Sequence, residues 1–315
     1  DHTNFCITMN IILMFSIYLV FVSISLLLFY FTFESSLLII FYIIIKWGYG
    51  DFRFNSSFYL MFYTLVFSLP ILYLIFNIII SFNRLNFYIL EISNIYLIND
   101  FKFLYLTISF IVKIPIYLIH GWLLKAHVEA SFFSSMILAS VILKLGSYGI
   151  IRIMFIMKKM FKKFCTYFIS ISLIGIVILR IICISQLDIK IIVAISSVVH
   201  IGVIIAGIIL ITKTRIYGRY YIIIRHGFVS SGLFYLINLI YKETNRRLMY
   251  INKGIINIMP SLIIFFSLIC FCNVGSPFSI NLIREILLVI RLIRWYKYII
   301  IIIIVYCITS FLYSV

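Results

Sequence analysis

The chain has 315 residues, of which 65% are hydrophobic and 11% charged, and its mean hydropathy is +1.22. Because a soluble domain carries about 25% charged residues, this composition excludes a soluble globular protein. Twenty-six Lys and Arg against nine Asp and Glu give a formal charge of +17. In a membrane chain such an excess is typical of cations that hold loops and helix ends at anionic lipid surfaces, so it does not predict a nucleic-acid partner.

Apolar runs of about 20 residues recur along the whole chain, which predicts an all-α, polytopic transmembrane helical bundle. The first run, residues 7–45, is about twice the length that crosses the hydrocarbon core, so it must contain two spans. We therefore predict a single integral membrane domain over residues 1–315 with about ten spans. The spans are predicted at 7–28, 30–46, 57–80, 102–120, 132–152, 165–184, 190–212, 217–241, 256–291 and 297–315.

Two spans contain residues that interrupt helices. Pro115 cannot donate a backbone hydrogen bond and clashes with the preceding turn, so the helix should open beside Lys113. The 256–291 run is too long for one straight helix, and Gly275, Ser276 and Pro277 near its centre predict a second interruption.

Two polar stretches are predicted to lie between helices. Residues 152–163 carry the densest group of cations and are interpreted as a basic connector. Residues 120–130 contain two histidines and a glutamate, but their spacing matches no trusted zinc pattern such as HExxH. We interpret this second stretch as a polar interhelical loop held by hydrogen bonds.

Ionisable side chains inside the apolar runs are rare and informative, because a charge at the centre of a span costs about 2.5–3.5 kcal/mol. The candidates for a function at membrane depth are Glu34, Lys113, Lys144, Glu285, His200 and His226. For the two histidines, a structural hydrogen bond between helices explains the residue as well as proton relay does. Arg180 and Lys190 are expected at a membrane interface, where snorkelling or local pairing suffices.

Lys113 and Glu34 suggest a chemical switch. Burial favours the neutral form of a lysine, whereas a nearby carboxylate favours the charged form. Moving Glu34 toward or away from Lys113 would therefore switch the lysine between holding and releasing a proton. A structural scaffold, in which buried charges only hold helices together, stays open as an alternative.

Several stretches resemble, in the same order, mitochondrial NADH-ubiquinone oxidoreductase chain 4, the antiporter-like membrane-arm subunits of respiratory complex I, in an arthropod-like form. The most specific stretch is VKIPIYLIHGWLLKAHVEASFFSSMILASVILKLGSYGIIRI, and others are FESSLLIIFYIIIKWG, QLDIKIIVAISSVVHIG, RHGFVSSGLFYL, INKGIINIMPSL and SPFSINLIREI. Relative to that family, roughly the first three spans and the last are expected to be missing from this sequence.

The resemblance implies a fold with antiporter-like inverted repeats and two interrupted helices. It implies a multi-pass protein of the mitochondrial inner membrane, a subunit of a translocase that couples electron transfer from NADH to ubiquinone to proton translocation. NADH, FMN, the iron–sulfur clusters and ubiquinone would be used by other subunits, so no cofactor is expected in this chain. The implied partners are other membrane-arm subunits, including neighbouring antiporter-like chains, and lipids such as cardiolipin.

The family's proton-translocating residues carry over to four positions through the FE, VKIP, LKLG and NLIREI matches, and its relay histidines carry over to two more. These are Glu34, Lys113, Lys144 and Glu285 for translocation, and His200 and His226 for relay. Departures from the family are Ile39, Leu124 and Ser131, where it usually has proline, and Arg284, where it usually has glycine. The alternative is a subunit of a multi-subunit cation/proton antiporter, which shares the same lysine and glutamate logic.

Overall fold

The computed structural model of the chain describes residues 2–82, 85–92, 99–209, 216–254, 259–274 and 280–314. Within these ranges the ordered elements are helices, and the only β-type pairings are two isolated bridges, Ser25 with Asn86 and Asp188 with Leu248. The predicted all-α, polytopic helical bundle is thereby confirmed.

The helices follow one another in chain order with short connections. They are α1 (His2–Val22), α2 (Leu26–Trp47), α3 (Arg53–Phe82), α4 (Phe87–Ile92), α5 (Asp100–Lys113), α6 (Gly121–Glu129), α7 (Phe132–Ile137), a π-helical turn (Leu138–Ile142), α8 (Leu143–Ile156), α9 (Lys158–Ile184), α10 (Ile189–Ile209), α11 (Ile216–Thr244), α12 (Pro260–Val274), α13 (Ile280–Trp295) and α14 (Ile299–Ser314).

Seven helices in the described ranges are long and apolar enough to cross a membrane. The helices α12 and α14 contain shorter apolar segments, Pro260–Asn273 and Ile299–Leu312. The larger predicted number of spans and the single integral domain stay predictions.

The first apolar run folds back earlier than the sequence suggested. We expected the turn near residues 28–30, but α1 ends at Val22 and α2 begins at Leu26. Ser25 is the N-cap of α2, where its side chain accepts a hydrogen bond from the Leu28 backbone N–H at 3.4 Å. A serine satisfies one of the open N–H groups at a helix start, which explains why the boundary lies here.

Both stretches interpreted as interhelical segments are largely helical. The basic residues from Lys158 onward form the first turns of α9, and Met157 alone separates α9 from α8. Residues 121–129, expected as a loop, form α6. Lysine and arginine have high helix propensity and place their charges at the end of a long side chain, so a cationic stretch does not by itself interrupt a helix.

The chain divides into two compact units. The first contains Asp1–Pro115, Gly121–Ser134 and Ile142–Lys163, and in it α2 packs on α1 and α3, α3 packs on α5 and α6, and α8 packs on α4 and α5. The second contains Ile116–His120, Ser135–Val141 and Phe164–Val315, and in it α11 packs on α10 and α12, and α13 packs on α10, α11 and α14.

Candidate functional site

The helix opens beside Lys113, as the sequence predicted. Helix α5 ends at Lys113, and the last helical hydrogen bond joins the Ile114 N–H to the Phe110 carbonyl. Pro115 follows and cannot continue the ladder. The indole N–H of Trp122, on α6, donates to the Val112 carbonyl at 3.1 Å. A buried backbone carbonyl without a hydrogen-bond partner costs free energy. The Trp122 side chain, on the other side of the break, provides this partner for the carbonyl next to Lys113.

Lys113 and Glu34 form a buried ion pair inside the first unit. The lysine Nζ lies 2.5 Å from the glutamate Oε1, and the two residues are 4% and 8% exposed. The same Nζ lies 3.4 Å from the ring centroid of Phe33, so an aromatic face covers the charge from another side. Glu34 Oε2 is buried and accepts no hydrogen bond from any residue that the structure describes. The carboxylate therefore holds Lys113 through one oxygen and keeps the other available.

Lys144 lies on α8, which packs against the interrupted helix in the same unit. The residue is 8% exposed. Two glycines permit the close approach, because a Cβ at Gly146 would collide with the Ile114 side chain and a Cβ at Gly149 with the Phe110 ring. Lys144 therefore belongs to a helix that packs directly against the break after Lys113.

The two histidines come together in the second unit. His200 on α10 and His226 on α11 have ring centroids 5.7 Å apart and are 5% and 8% exposed. The Tyr306 hydroxyl, on α14, lies 3.1 Å from His200 Nδ1. The Arg180 guanidinium, on α9, lies over the Tyr306 ring at 4.6 Å from its centroid.

The remaining predicted features fall partly outside the described structure. Glu285 belongs to α13, but its side chain and that of Arg284 lie outside the described residues, as does the predicted break at 275–277. Two of the positions where the family usually has proline, Ile39 and Leu124, lie inside α2 and α6, which run through them as regular helix. The third, Ser131, lies between α6 and α7, and its hydroxyl accepts the Ser134 N–H at 3.4 Å.

Arg180 and Lys190, which the sequence predicts at a membrane interface, have no exposed surface. Their position relative to the membrane stays a prediction. Sequence reasoning missed one polar partner, Tyr306. Nothing in the local sequence distinguishes Tyr306 from the other tyrosines. The described residues contain no group of three or more His, Cys, Asp or Glu side chains that could hold a metal ion.

Most of the chain matches a known membrane family. Residues 23–312 match the family model described as NADH:quinone oxidoreductase/Mrp antiporter, transmembrane. Among solved structures, a chain of respiratory complex I from Thermus thermophilus superposes with a TM-score of 0.85 at 21% identity, covering 94% of this chain and 64% of that one. A chain of the Mrp complex from Dietzia sp. superposes with the same TM-score at 17% identity, covering 95% of this chain and 34% of that one. At these identities the likeness shows the fold alone.

Curated relatives named NADH-ubiquinone oxidoreductase chain 4 are much more similar. The protein of Apis mellifera ligustica is 51% identical over 98% of this chain and 69% of its own length. That of Locusta migratoria is 41% identical over 99% of this chain and 70% of its own length, and that of Aedes aegypti is 44% identical over 84% and 59%. This chain thus spans between about three fifths and seven tenths of these relatives. Family model and relatives agree, and the chain belongs to the NADH-ubiquinone oxidoreductase chain 4 family, the antiporter-like membrane subunits of complex I.

Proposed function

We propose that this chain translocates protons across the mitochondrial inner membrane as part of complex I, driven by electron transfer from NADH to ubiquinone in other subunits. The observation that carries the proposal is the buried ion pair between Lys113 and Glu34 at the end of an interrupted helix. Charges at membrane depth are costly, and they mark ion pathways more often than they stabilise a fold.

The pair can work as a proton-releasing switch. While Glu34 touches Lys113, the carboxylate stabilises the charged lysine. If Glu34 moves away, the ammonium becomes a buried charge without compensation, which is strongly unfavourable, so the lysine gives up its proton. Lys144, on the helix packed against this break, is the acceptor we propose for the first unit. The proton would then pass by His200 and His226, and Glu285 would be the exit-side group.

The surrounding assembly completes the proposal. Because the chemistry assigned here consists only of proton movement, we propose that NADH, FMN, iron–sulfur clusters and ubiquinone are handled by other subunits. The partners would be other membrane-arm subunits, including neighbouring antiporter-like chains. Anionic lipids such as cardiolipin would contact the exposed cations at helix ends, for example Lys158 and Lys159.

A cation/proton antiporter subunit is the competing function, since the family model and the Mrp complex share the fold. Relatives at 41–51% identity named chain 4 favour complex I over it. The two functions differ in a measurable way, because an antiporter exchanges Na⁺ or K⁺ for protons without NADH oxidation.

The test replaces each of the two buried lysines of the proposed path in complex I that contains this chain. In sealed vesicles, Lys113→Met and Lys144→Met are each expected to lower the number of protons moved per NADH oxidised severalfold. The matched control is Lys159→Met, which removes the same charge from an exposed position and should pump normally. Normal pumping by both buried-site variants would remove the proposed function, and NADH-independent Na⁺/H⁺ exchange would replace it with the antiporter.

A further inference from the structure

Tyr306 makes a hydrogen bond that the proton path described above does not include. Its hydroxyl lies 3.1 Å from Nδ1 of His200, and the planes of the two rings are nearly perpendicular, at 86°. The two residues are 106 positions apart in the chain and belong to α10 and α14 of the same unit. The contact is therefore set by packing of these two helices and by no local sequence motif.

A neutral imidazole has one nitrogen that donates and one that accepts, and the partner of one nitrogen decides which is which. A protonated tyrosine hydroxyl can accept a hydrogen bond through its oxygen as well as donate one. With Nδ1–H donating to the phenol oxygen, the ring hydrogen of His200 stands on Nδ1 and Nε2 carries the lone pair. That second nitrogen is buried and makes no hydrogen bond with any residue that the structure describes.

Tyr306 is itself held in place by a buried cation. The Arg180 guanidinium lies 4.6 Å from the centroid of the phenol ring, at a distance typical of a cation–π contact. Arg180 lies on α9, which comes near α10 at Gly202, where an added Cβ would stand only 3.2 Å from the Ile176 side chain. Arg180 has no exposed surface, so the contact is shielded from competing water.

We propose that Tyr306 and Arg180 are positioning residues that fix the tautomer of His200, so that this histidine exchanges its proton through Nε2. The inference rests on the proposed function, because it assigns a direction to a relay that the proposed function requires. A proton from the preceding carrier adds to the lone pair of Nε2 and gives an imidazolium, and the same Nε2–H bond breaks when the proton passes to the next carrier. The hydrogen bond from Nδ1–H to the phenol oxygen stays in place throughout. No covalent bond other than N–H and O–H changes.

Other charged or titratable groups near His200 could also influence its protonation. His226 faces it from α11, with ring centroids 5.7 Å apart, and Arg225 precedes His226 on that helix. Tyr306 faces it from α14, and Arg180 from α9 through Tyr306. Among these groups, only Tyr306 has a hydrogen bond to His200 in the described structure, so removing its hydroxyl is the most selective test.

The central experiment uses Tyr306→Phe in complex I that contains this chain. The substitution keeps the ring on which Arg180 stacks and removes the hydroxyl. We expect the initial rate of proton pumping to fall about fivefold, the factor in rate that corresponds to one ordinary hydrogen bond, and the pH profile of pumping to change. The control is Tyr298→Phe, the same change on a side chain that is 70% exposed, which should alter neither quantity.

A second background shows whether Tyr306 acts through His200. In a His200→Gln complex, adding Tyr306→Phe should have little further effect, because coupled residues do not give additive losses. Arg180→Lys, which keeps the charge but loses the planar group, should show a smaller loss that also vanishes in that background. Unchanged pumping and pH profile in Tyr306→Phe, or equal losses in both backgrounds, would overturn the proposal.

The same preparations separate this inference from the proposed function. If Lys113→Met and Lys144→Met lower pumping severalfold while Tyr306→Phe leaves it intact, the positioning role falls and proton translocation stands. If both lysine variants pump normally, the proposed function itself falls, whatever Tyr306→Phe does.

Discussion

At the scale of single residues, burial distinguishes the charged side chains proposed to transfer protons from those at exposed helix ends. Lys113 and Glu34 are paired at 2.5 Å with almost no exposed surface. Replacing a buried ion pair by apolar residues of similar volume is often neutral or stabilising, whereas removing one partner costs about 3–5 kcal/mol. A pair kept at such a position is therefore poorly explained by stability alone, which agrees with a role in proton transfer.

The pair can be tested for stability and activity separately. Glu34→Leu and Lys113→Met should each lower the stability of the complex by about 3–5 kcal/mol, whereas the double variant should be close to the unchanged protein. All three should lose proton pumping severalfold. Thermal inactivation of the purified complex and proton uptake by vesicles measure the two properties. Full pumping by a charge-swapped pair, Glu34→Lys with Lys113→Glu, would instead support the scaffold alternative.

At the scale of helices, a proline interrupts a span only where the surrounding structure accommodates the break. Pro70 lies inside α3, which continues from Arg53 to Phe82. Pro115 coincides with the end of α5, and there Trp122 donates to the carbonyl of Val112. The sequence showed both prolines, but the tertiary hydrogen bond to the exposed carbonyl was visible only in the structure.

The packing of α8 on this break depends on small residues. Gly146→Ala should destabilise the complex by about 1–3 kcal/mol, the usual cost of overpacking, because the new Cβ would lie 2.6 Å from Ile114 Cγ1. Gly121→Ala is the matched control, since a Cβ there meets nothing within 4 Å, and it should be neutral or slightly stabilising. Midpoints of thermal inactivation compare the two, and equal midpoints would show that the approach of α8 is not tight.

At the scale of the whole molecule, the net charge of +17 conceals two different populations of cations. Lys158 pairs with Glu91 at 3.0 Å and Lys163 with Asp100 at 2.5 Å, and the four side chains keep 40–59% of their surface exposed. Exposed pairs such as these contribute about 0–1 kcal/mol. Lys113, Lys144, Arg180 and Lys190 belong to the other population, which is buried among helices.

The exposed pairs supply a contrast to the buried one. Lys158→Gln and Lys163→Gln should each change stability by less than about 0.5 kcal/mol and leave proton pumping unchanged. The small effect on stability should shrink further at high salt, where exposed charges are screened. A loss of pumping in either variant would mean that the surface cations take part in proton transfer.

The sequence by itself determined the membrane-spanning helical fold, the family and the identity of the rare charges at depth. Hydropathy and signature motifs are properties of short stretches, so they can be recognised without knowledge of packing. The sequence also suggested Glu34 as the partner of Lys113, 79 positions away, but only the tertiary structure showed that the two side chains are in contact. The contact between His200 and Tyr306, 106 positions apart, was visible only in the structure. The rotation and close approach of helices set these contacts, as do the glycines that permit that approach. The burial of Arg180 also became visible only in the structure, because an apolar run does not show which of its faces turns inward.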